Sequence, residues 1–381
     1  MKNKNIMILC KVVDNFGDIG VVYRLAKALC DVDSSLNITL VCSNLESFAK
    51  MAEQVDPSKK EQDFYYGACR WHILDWEQSP DFKFECAPFP VVLECFQCGR
   101  PDWLENILFD KNATEIFHIF NIEYLTAEEY ADDFHLLKSY TRSASVKKMF
   151  FMPGFTKKTA GLILDNSFLN ALEEAENTPK DEHTFTVTIF SYERSFIEVF
   201  NALNAFLQKK QQTDENFKVR VLAANGKSLP FVKEAWQKTG RKVELTELPF
   251  LNQEEWDKVL CSADFNFIRG EESLARACLS GKPFFWHAYV QDENYQLVKV
   301  NALLSRLEPF FNDSQIAQNF SALWNEYNTP DTPLNEKNLL DLFEQTAQGR
   351  LTETFKAFSA SLKQNGNLAE NLLNYLSGEG L

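Results

Sequence analysis

Residues 5–20 read NIMILCKVVDNFGDIG, an apolar run that passes into a turn containing two aspartates and two glycines. The run predicts a strand at residues 6–13, and the segment after the turn predicts a helix at residues 19–30. Because the apolar residues do not alternate with polar ones, the strand is typical of a parallel sheet that is covered on both faces. This stretch therefore predicts an α/β fold that begins with a strand, a turn and a helix.

The same alternation of strands and helices continues on both sides of one polar stretch, EEAENTPKDEHT at residues 173–184. Before that stretch, further strands are predicted at residues 38–42, 71–74, 91–95, 116–121 and 148–152, and a helix at 45–53. After it, strands are predicted at 185–190, 218–222, 243–247, 265–268 and 283–287, and helices at 194–209, 229–238, 252–262, 272–280 and 293–307. Beyond about residue 312 the pattern is helical only and ends in a helix at 351–376. The polar stretch itself predicts a linker.

This order of elements predicts right-handed crossovers and two doubly wound, Rossmann-like sheets. We expect a first domain at residues 1–175, a second domain at 185–355, and a C-terminal helix at 356–381 that can pack back on the first domain. Two such domains joined by one linker would form a cleft. In sheets of this kind, ligands bind outside the carboxyl ends of the strands.

The chain of 381 residues has 39 Lys and Arg residues and 54 Asp and Glu residues, a formal net charge of −15. Nucleic-acid binding depends on clustered Lys and Arg, so this balance argues against a nucleic-acid partner and favours cationic or neutral ones. No apolar segment reaches the roughly 18–20 residues that span a bilayer, so no membrane partner is expected. Nine cysteines, an odd number, together with the lack of a signal peptide predict reduced thiols in the cytoplasm.

Metal-binding patterns are weak in this sequence. Cys95-Phe-Gln-Cys98 is the only C-x-x-C segment, and no second pair of Cys or His residues follows it at the spacing of a zinc site. The five histidines are scattered along the chain. We therefore expect buried thiols at Cys95 and Cys98, and no metal site.

The first candidate for chemistry is the turn that contains Asp14 and Asp18. A dinucleotide-binding turn needs G-x-G-x-x-G, whereas only Gly17 and Gly20 are present here. Two carboxylates at a helix start disfavour a phosphate group and favour a cation or the acceptance of a proton. The alternative is that both aspartates cap the turn and the helix, and the sequence leaves both interpretations open.

The second candidate lies in DFNFIRGEESLARACLSGKP at residues 264–283, again a strand followed by a helix start. Arg269 and Gly270 form the turn, and the hydroxyl group of Ser273 and the helix amides can hold an anion beside Arg269. This arrangement is typical of a diphosphate site. Glu271 and Glu272 also suit simple capping of the first helical turn.

The third candidate consists of aromatic residues that follow predicted strands in the second half of the chain. Phe190 ends the first of these strands and Tyr192 follows it, and Phe250 comes after the third. Aromatic rings at strand ends can stack on a nucleobase, while Ser191 and Gln253 can bind its polar edge. The alternative is that these rings belong to the hydrophobic core.

Several of these segments resemble a known family, the bacterial protein-arginine rhamnosyltransferases that modify translation elongation factor P. The similar segments are VDNFGDIG at residues 13–20, LPFL at 248–251, RGEESLARA at 269–277 and GKPFFWHAY at 281–289. The resemblance implies a glycosyltransferase B architecture, with an N-terminal domain for the protein acceptor and a C-terminal domain for the nucleotide sugar. It also implies a dTDP-β-L-rhamnose donor, a single arginine of elongation factor P as acceptor, inversion at the anomeric carbon, and no metal or cofactor.

The resemblance also assigns roles to individual residues. It implies catalytic roles for Asp14, Asp18 and Glu271. The implied donor-binding residues are Asn15, Phe16, Gly17, Phe190, Ser191, Tyr192, Phe250, Gln253, Trp256, Arg269, Gly270, Glu272 and Ser273. The chemistry is consistent with these roles, because a guanidinium group is a poor nucleophile until a carboxylate orients it and accepts its proton.

Three alternatives remain open from the sequence. The chain could be a nucleotide-sugar transferase with a small-molecule acceptor, because one fold hosts many activities. It could also be a non-catalytic protein that binds a nucleotide sugar. A nicotinamide-dependent oxidoreductase is the third, and the missing G-x-G-x-x-G segment argues against it.

Overall fold

The computed structural model describes residues 2–13, 16–79 and 81–381. The chain divides into two compact units, one formed by Met1–Asn166 with Lys363–Leu381 and the other by Ser167–Leu362. The division precedes the polar stretch at 173–184, because the first residues of that stretch continue a helix. This helix buries Phe168, Ala171 and Leu172 on one face, so its charged residues form the exposed face of an amphipathic helix rather than a linker.

The first unit contains an eight-stranded sheet. Its strands are β1 (Asn5–Cys10), β2 (Asn37–Cys42), β3 (Glu61–Tyr66), β4 (Cys69–Asp75), β5 (Val91–Cys95), β6 (Phe117–Ile122), β7 (Lys138–Ser139) and β8 (Val146–Phe151). They lie in the order β3-β4-β2-β1-β5-β6-β8-β7. The parallel strands alone have the spatial order 3-2-1-4-5-6, which is that of the Rossmann fold.

The two edge strands of this sheet, β3 and β7, are absent from the sequence prediction. Each pairs antiparallel with its neighbour, β3 with β4 and β7 with β8. Strand β3 alternates exposed and half-buried residues, and β7 has only two residues. Neither therefore carries the continuous apolar run that identifies the buried parallel strands.

The second unit contains a five-stranded sheet in which every pairing is parallel. Its strands are β9 (Thr184–Ile189), β10 (Lys218–Ala223), β11 (Glu244–Glu247), β12 (Phe265–Arg269) and β13 (Phe284–His287). The order β11-β10-β9-β12-β13 is 3-2-1-4-5, so the strand order reverses between β9 and β12. The predicted α/β class, with two Rossmann-like sheets and C-terminal helices, is confirmed.

Helices cover both sheets. They are α1 (Gly17–Val32), α2 (Leu45–Ala49), α3 (Asp102–Leu108), α4 (Tyr130–Phe134), α5 (Asn166–Asn177), α6 (Ile197–Gln211), α7 (Leu229–Lys238), α8 (Gln253–Ser262), α9 (Glu271–Ser280), α10 (Tyr295–Leu307), α11 (Ser314–Asn328), α12 (Glu336–Ala347), α13 (Arg350–Lys363) and α14 (Leu368–Gly378). None of the helices in the described ranges is long and apolar enough to cross a membrane.

The last part of the chain forms two helices instead of the one predicted at 351–376. The break comes at Gly366, which has a positive φ of 86°, and Asn367 then caps α14 by accepting a hydrogen bond from the amide of Ala369. Helix α14 returns to the first unit, where Leu372 and Leu376 share a hydrophobic cluster with Leu25 of α1. The C-terminus therefore belongs to the core of the N-terminal unit.

One ion pair lies fully inside the first unit. Nη1 of Arg24, in α1, is 2.7 Å from Oδ2 of Asp165, and neither side chain is exposed to solvent. A buried charge is costly unless it is paired, so the two residues stabilise the fold only together. The pair fixes α1 to the segment that leads into α5.

The nine cysteines are free thiols in the structure. Cys95 is buried and Cys98 is half-buried, as expected for the C-x-x-C segment. Burial raises the pKa of the Cys95 thiol well above its usual value, and it raises the pKa of Cys98 to about 11. Both thiols are therefore protonated at neutral pH.

Candidate functional site

Two of the predicted segments meet where the strand order of the second unit reverses. Phe190 follows the last residue of β9, and Arg269 is the last residue of β12. The amide of Phe190 donates a hydrogen bond to the carbonyl of Phe267, 2.8 Å away, so the two strand ends are joined directly. Ligands of Rossmann-like sheets bind at this point of reversal, outside the carboxyl ends of the strands.

Arg269 is held there by two aromatic rings. Its guanidinium carbon lies 4.9 Å from the ring centre of Phe190 and 4.7 Å from that of Tyr192. Among the described residues, no carboxylate or carbonyl group accepts a hydrogen bond from this guanidinium. The rings orient the planar cation, while its N–H groups remain available for the oxygens of a phosphate group.

Helix α9 begins immediately after Arg269. Gly270 is the N-cap and has a φ of 75°, a conformation that favours glycine, and no side chain caps the helix. Ser273 lies buried in the first turn. The positive end of the helix dipole therefore lies beside the arginine, which is a favourable place for an anion.

The two glutamates of the first turn of α9 differ in their surroundings. Glu271 is the first residue of the helix and is half-buried. Oε1 of Glu272 lies 3.5 Å from Nε of the buried Arg276, one turn later in the helix. Glu272 thus pairs with Arg276 within α9.

Three more predicted residues lie beside Phe190 or after β11. Trp256 is nearly buried, and its ring meets Phe190 edge-on with 5.2 Å between ring centres. Phe250 is 54% exposed. Gln253 begins α8, whose N-terminus is capped by Asn252. Phe250 is thus exposed in the segment after β11, whereas the ring of Trp256 packs edge-on against that of Phe190.

Ser191 faces the interior of the unit. Its hydroxyl group lies 2.9 Å from Nδ1 of His287 and 2.6 Å from the hydroxyl group of Tyr327. Burial, with smaller effects from Arg194 and Arg269, lowers the pKa of His287 to about 3, and burial raises that of Tyr327 to about 12. This neutral network fixes the loop after β9, and the hydroxyl group of Ser191 is engaged with His287 and Tyr327.

Two residues near Tyr192 were missed by the sequence analysis. Nζ of Lys227 lies 5.9 Å from the ring centre of Tyr192, and the ring of Tyr289 lies 5.6 Å from it. Lys227 is exposed and follows β10, while Tyr289 follows β13, at the same edge of the sheet. A glycine-lysine pair after one strand and a tyrosine after another were the signals that could have identified them.

In the first unit, only one of the two predicted aspartates, Asp18, can be located, and it lies in the first turn of α1. Asp14 and Asn15 lie outside the described residues. Phe16 is the N-cap of α1 and Gly17 its first residue, but no side chain caps the helix. The buried Asp18 instead accepts a hydrogen bond from the amide of Val13, 2.8 Å from Oδ2. Asp18 therefore bonds back to Val13, which precedes α1, and this contact is of the capping kind considered from the sequence.

The second oxygen of Asp18 has a partner that the sequence analysis missed. The hydroxyl group of Tyr124 donates to Oδ1 across 2.9 Å. The Tyr124 ring is stacked on Phe96, with ring centres 4.2 Å apart. Tyr124 follows β6 and Phe96 follows β5, so this contact also lies at the carboxyl ends of the strands. Only the strand order shows that these loops are neighbours of Asp18.

In the described part of the chain, no group of three or more His, Cys, Asp or Glu residues is placed to hold a metal ion. The first unit carries one candidate arrangement, the carboxylate of Asp18 with its partners Val13 and Tyr124, and the second unit carries another, Arg269 beside the start of α9. The first arrangement can bind or deprotonate a cationic group, and the second can bind a nucleoside diphosphate.

Comparisons with known proteins point to one family. The family model described as "Elongation-Factor P (EF-P) rhamnosyltransferase EarP" matches residues 6–377. A protein-arginine rhamnosyltransferase of Shewanella oneidensis is 31% identical over 347 residues, which cover 82% of this chain and 84% of the relative. Another from Pseudomonas putida is 29% identical over 345 residues, which cover 84% and 86%.

Solved structures show the same fold. The alignment with a structure described as the basis for EarP-mediated arginine glycosylation of translation elongation factor EF-P covers both chains fully, with a TM-score of 0.58 and 18% identity. An α,α-trehalose 6-phosphate synthase from Burkholderia multivorans has a TM-score of 0.51 and 8% identity, with coverage of 100% and 97%. At these identities the likeness concerns the fold alone.

Proposed function

The chain belongs to the Elongation-Factor P (EF-P) rhamnosyltransferase EarP family, and on that premise we propose that it transfers rhamnose from dTDP-β-L-rhamnose to a single arginine of translation elongation factor P. The activity of this family is arginine rhamnosyltransfer. The identity of the donor, the acceptor protein and the inverting course of the reaction are the proposal. Because the proposed acceptor is a translation factor, we place the reaction in the cytoplasm.

The observation that carries the donor assignment is the placement of Arg269. The guanidinium is held between Phe190 and Tyr192 at the reversal of strand order, beside the start of α9. A diphosphate there would receive charge-assisted hydrogen bonds and the favourable end of the helix dipole. Lys227 adds a second cation at this edge. The second unit is therefore the donor domain of the proposal, with Phe250 exposed for the base.

We assign the acceptor chemistry to the aspartates. A nitrogen of the arginine attacks the anomeric carbon while the bond from that carbon to the diphosphate oxygen breaks, and the electron pair leaves with dTDP. A carboxylate takes the proton that the nitrogen loses. Asp18 holds the loop through Val13, so we propose Asp14 as this base and Asp18 as the residue that positions it. Glu271, at the start of α9, is the third carboxylate of the proposal.

Charge on the leaving dTDP is balanced in this scheme by protein groups. Arg269, Lys227 and the start of α9 supply positive potential where the diphosphate is released, and this stabilises the transition state. Attack from the face opposite to the leaving group inverts the anomeric centre. The proposal includes no metal and no cofactor.

The test uses intact elongation factor P, dTDP-rhamnose and the purified chain. Mass spectrometry should show the addition of one deoxyhexose, on one arginine. Asp14→Asn should lose transfer by ~10²–10⁴-fold, the usual contribution of a general base, while dTDP affinity measured by calorimetry stays unchanged. Asp110→Asn, the same change of charge elsewhere in the first unit, is the matched control and should keep full transfer.

The outcomes separate the alternatives. A wild-type chain that binds dTDP but modifies no acceptor would favour a non-catalytic binding protein. Transfer to a small molecule in place of elongation factor P would favour the other alternative, which rests on the same donor site. Equal transfer by Asp14→Asn and wild type would move the base to another carboxylate, with Glu271 the next candidate.

A further inference from the structure

An exposed apolar surface lies at one edge of the sheet in the first unit. It is formed by helix α4, strand β7 and the residues around them, and we call it the α4–β7 surface. Its exposed members are Tyr130 (46%), Phe134 (42%), Leu136 (37%), Leu137 (48%) and Tyr140 (104%). Single exposed apolar residues are ordinary, but a group of five within eleven residues is typical of an interaction site.

These side chains belong to one ordered surface. The rings of Tyr130 and Phe134 are 5.9 Å apart, and those of Phe134 and Phe150 are 5.8 Å apart. The amide of Leu136 donates to the carbonyl of Phe150, and the amide of Phe150 donates to the carbonyl of Leu137, each across 2.9 Å. The backbone is thus fixed to β8, and a partner would meet a preformed apolar face.

The segment that leads to this surface is strongly acidic. Residues 123–133 contain five carboxylates and no Lys or Arg. One of the five, Asp132, accepts a hydrogen bond from the hydroxyl group of Thr156, and Glu129 and Asp133 are exposed. The nearest Lys or Arg along the chain is Lys138, in β7. An apolar face with an acidic flank fits a protein surface that combines apolar and cationic side chains.

The same segment also contains a residue of the candidate active site. Tyr124, which follows β6, donates its hydrogen bond to Asp18, and α4 begins six residues later. The acidic segment is therefore continuous, along the chain, with the carboxylate that holds the catalytic loop. A protein that presents an arginine to Asp14 and Asp18 would have its flanking residues near this segment.

We propose that the α4–β7 surface docks the acceptor protein: its apolar residues contact the body of the acceptor, and residues 123–133 attract the cationic flank of the modified arginine. This inference rests on the proposed function and deepens it. A membrane of anionic lipids is disfavoured as the occupant, because the carboxylates would repel it.

The experiment measures steady-state transfer to elongation factor P at saturating dTDP-rhamnose, for Phe134→Asp and Leu137→Asp. A docking surface predicts a KM for the acceptor at least tenfold higher, with kcat, dTDP affinity and melting temperature near wild type. Tyr65→Asp is the matched control, since Tyr65 is 67% exposed but lies in β3, the strand at the opposite edge of the sheet. If Phe134→Asp lowers the melting temperature, Tyr140→Asp replaces it, because this side chain is fully exposed.

The outcomes distinguish a failure of the proposed function from a failure of the docking proposal. No transfer by the wild-type chain contradicts the proposed function itself. Normal transfer by the wild type, with an unchanged acceptor KM in the surface variants, overturns the docking proposal alone. Sedimentation of the same proteins tests whether a second copy of the chain occupies the surface instead. If the wild type is a dimer and these variants dissociate it without a change in the acceptor KM, the surface is a dimer interface and the docking proposal is wrong.

Discussion

The hydroxyl group of Tyr124 donates a hydrogen bond to Oδ1 of Asp18 across 2.9 Å and so joins the loop after β6 to the first turn of α1. The other oxygen of Asp18 accepts from the amide of Val13. With both oxygens engaged, the Asp18 carboxylate is fixed in orientation relative to Val13 and Tyr124. This contact links the fold of the first unit to the proposed chemistry.

Tyr124→Phe should slow transfer without changing the donor site. The variant removes one hydrogen bond to a charged group, a contribution of about 1.5–3 kcal/mol, and keeps the ring that stacks on Phe96. We expect a kcat lower by ~10–100-fold in single-turnover transfer, with unchanged dTDP affinity. Tyr65→Phe, at the exposed edge strand β3, is the control and should behave as wild type. Full activity of Tyr124→Phe would show that this bond does not position Asp18 for transfer.

Arg269→Ala should weaken dTDP binding. The variant removes a charge-assisted contact to the diphosphate, so affinity measured by calorimetry should fall by about 1.5–3 kcal/mol. Arg269→Lys should recover only part of it, because an ammonium group lacks the planar fork that stacks between Phe190 and Tyr192.

The matched control for this arginine is Arg241→Ala. Arg241 also stacks on an aromatic ring, that of Trp236, but it lies between α7 and β11, at the amino end of that strand. Its variant should bind dTDP as wild type does. If the wild type, Arg269→Ala, Arg269→Lys and Arg241→Ala all bound dTDP with the same affinity, the diphosphate would not bind at Arg269.

Strands such as β1 and β5 were predictable because each is largely apolar, and the sequence singled out Phe190, Tyr192 and Arg269 because they lie at the ends of predicted strands. Phe190, Tyr192 and Arg269 are brought together as a Rossmann-like sheet requires. Tyr124 and Lys227 were not found, although both follow predicted strands. Which loops become neighbours depends on the strand order, and that order is set by pairing between distant segments.

Two other differences between the predicted and the observed secondary structure have local causes. Strand β7 has only two residues, and its pairing with β8 gives no pattern that the sequence could show. The helix predicted at 351–376 has the right apolar period throughout, but Gly366 and Asn367 provide a stop and a new cap within it. Periodicity identified the buried faces there, whereas the ends of the helices depended on single residues.

Lys227→Ala should weaken dTDP binding less than Arg269→Ala does. Lys227 is exposed, so salt screens its attraction to the diphosphate, and we expect a loss of about three- to tenfold at low ionic strength. The difference from wild type should shrink as salt is added. Lys233→Ala, in α7, removes the same charge from an ion pair with Glu247 and should leave affinity unchanged. An affinity loss that is insensitive to salt would mean that Lys227 acts through the loop after β10.

His287 should make stability depend on pH. Burial, and then Arg194 and Arg269, lower its pKa in the folded chain to about 3, whereas the ordinary value is 6.5. Between those values the unfolded chain binds more protons at this residue, so the free energy of unfolding falls as the pH drops below about 6.5. The slope from one such group approaches about 1.4 kcal/mol per pH unit.

His287→Asn tests this dependence, since asparagine keeps a polar atom near Ser191 but does not titrate. Urea unfolding at pH 7.5, 6, 5 and 4.5 should show that the variant is less stable than wild type at the highest pH and that the gap narrows on acidification. His118 and His135, whose pKa values are also lowered, are present in both proteins and cancel in the comparison. A gap that stays constant over this range would show that His287 is not the group that titrates.

Asp165→Asn should destabilise the first unit strongly. The substitution leaves the charge of Arg24 without its carboxylate in a site closed to solvent, and breaking a buried pair in this way costs about 3–5 kcal/mol. Urea unfolding measures the loss. Glu234→Gln is the control, because Glu234 pairs with Lys238 on an exposed helix face, where a salt bridge contributes about 0–1 kcal/mol. A double variant, Arg24→Met with Asp165→Leu, should recover much of the loss, since it removes both charges and keeps the volume apolar. If Asp165→Asn alone were as stable as wild type, α1 and the loop of Asp18 would be held by packing rather than by this pair.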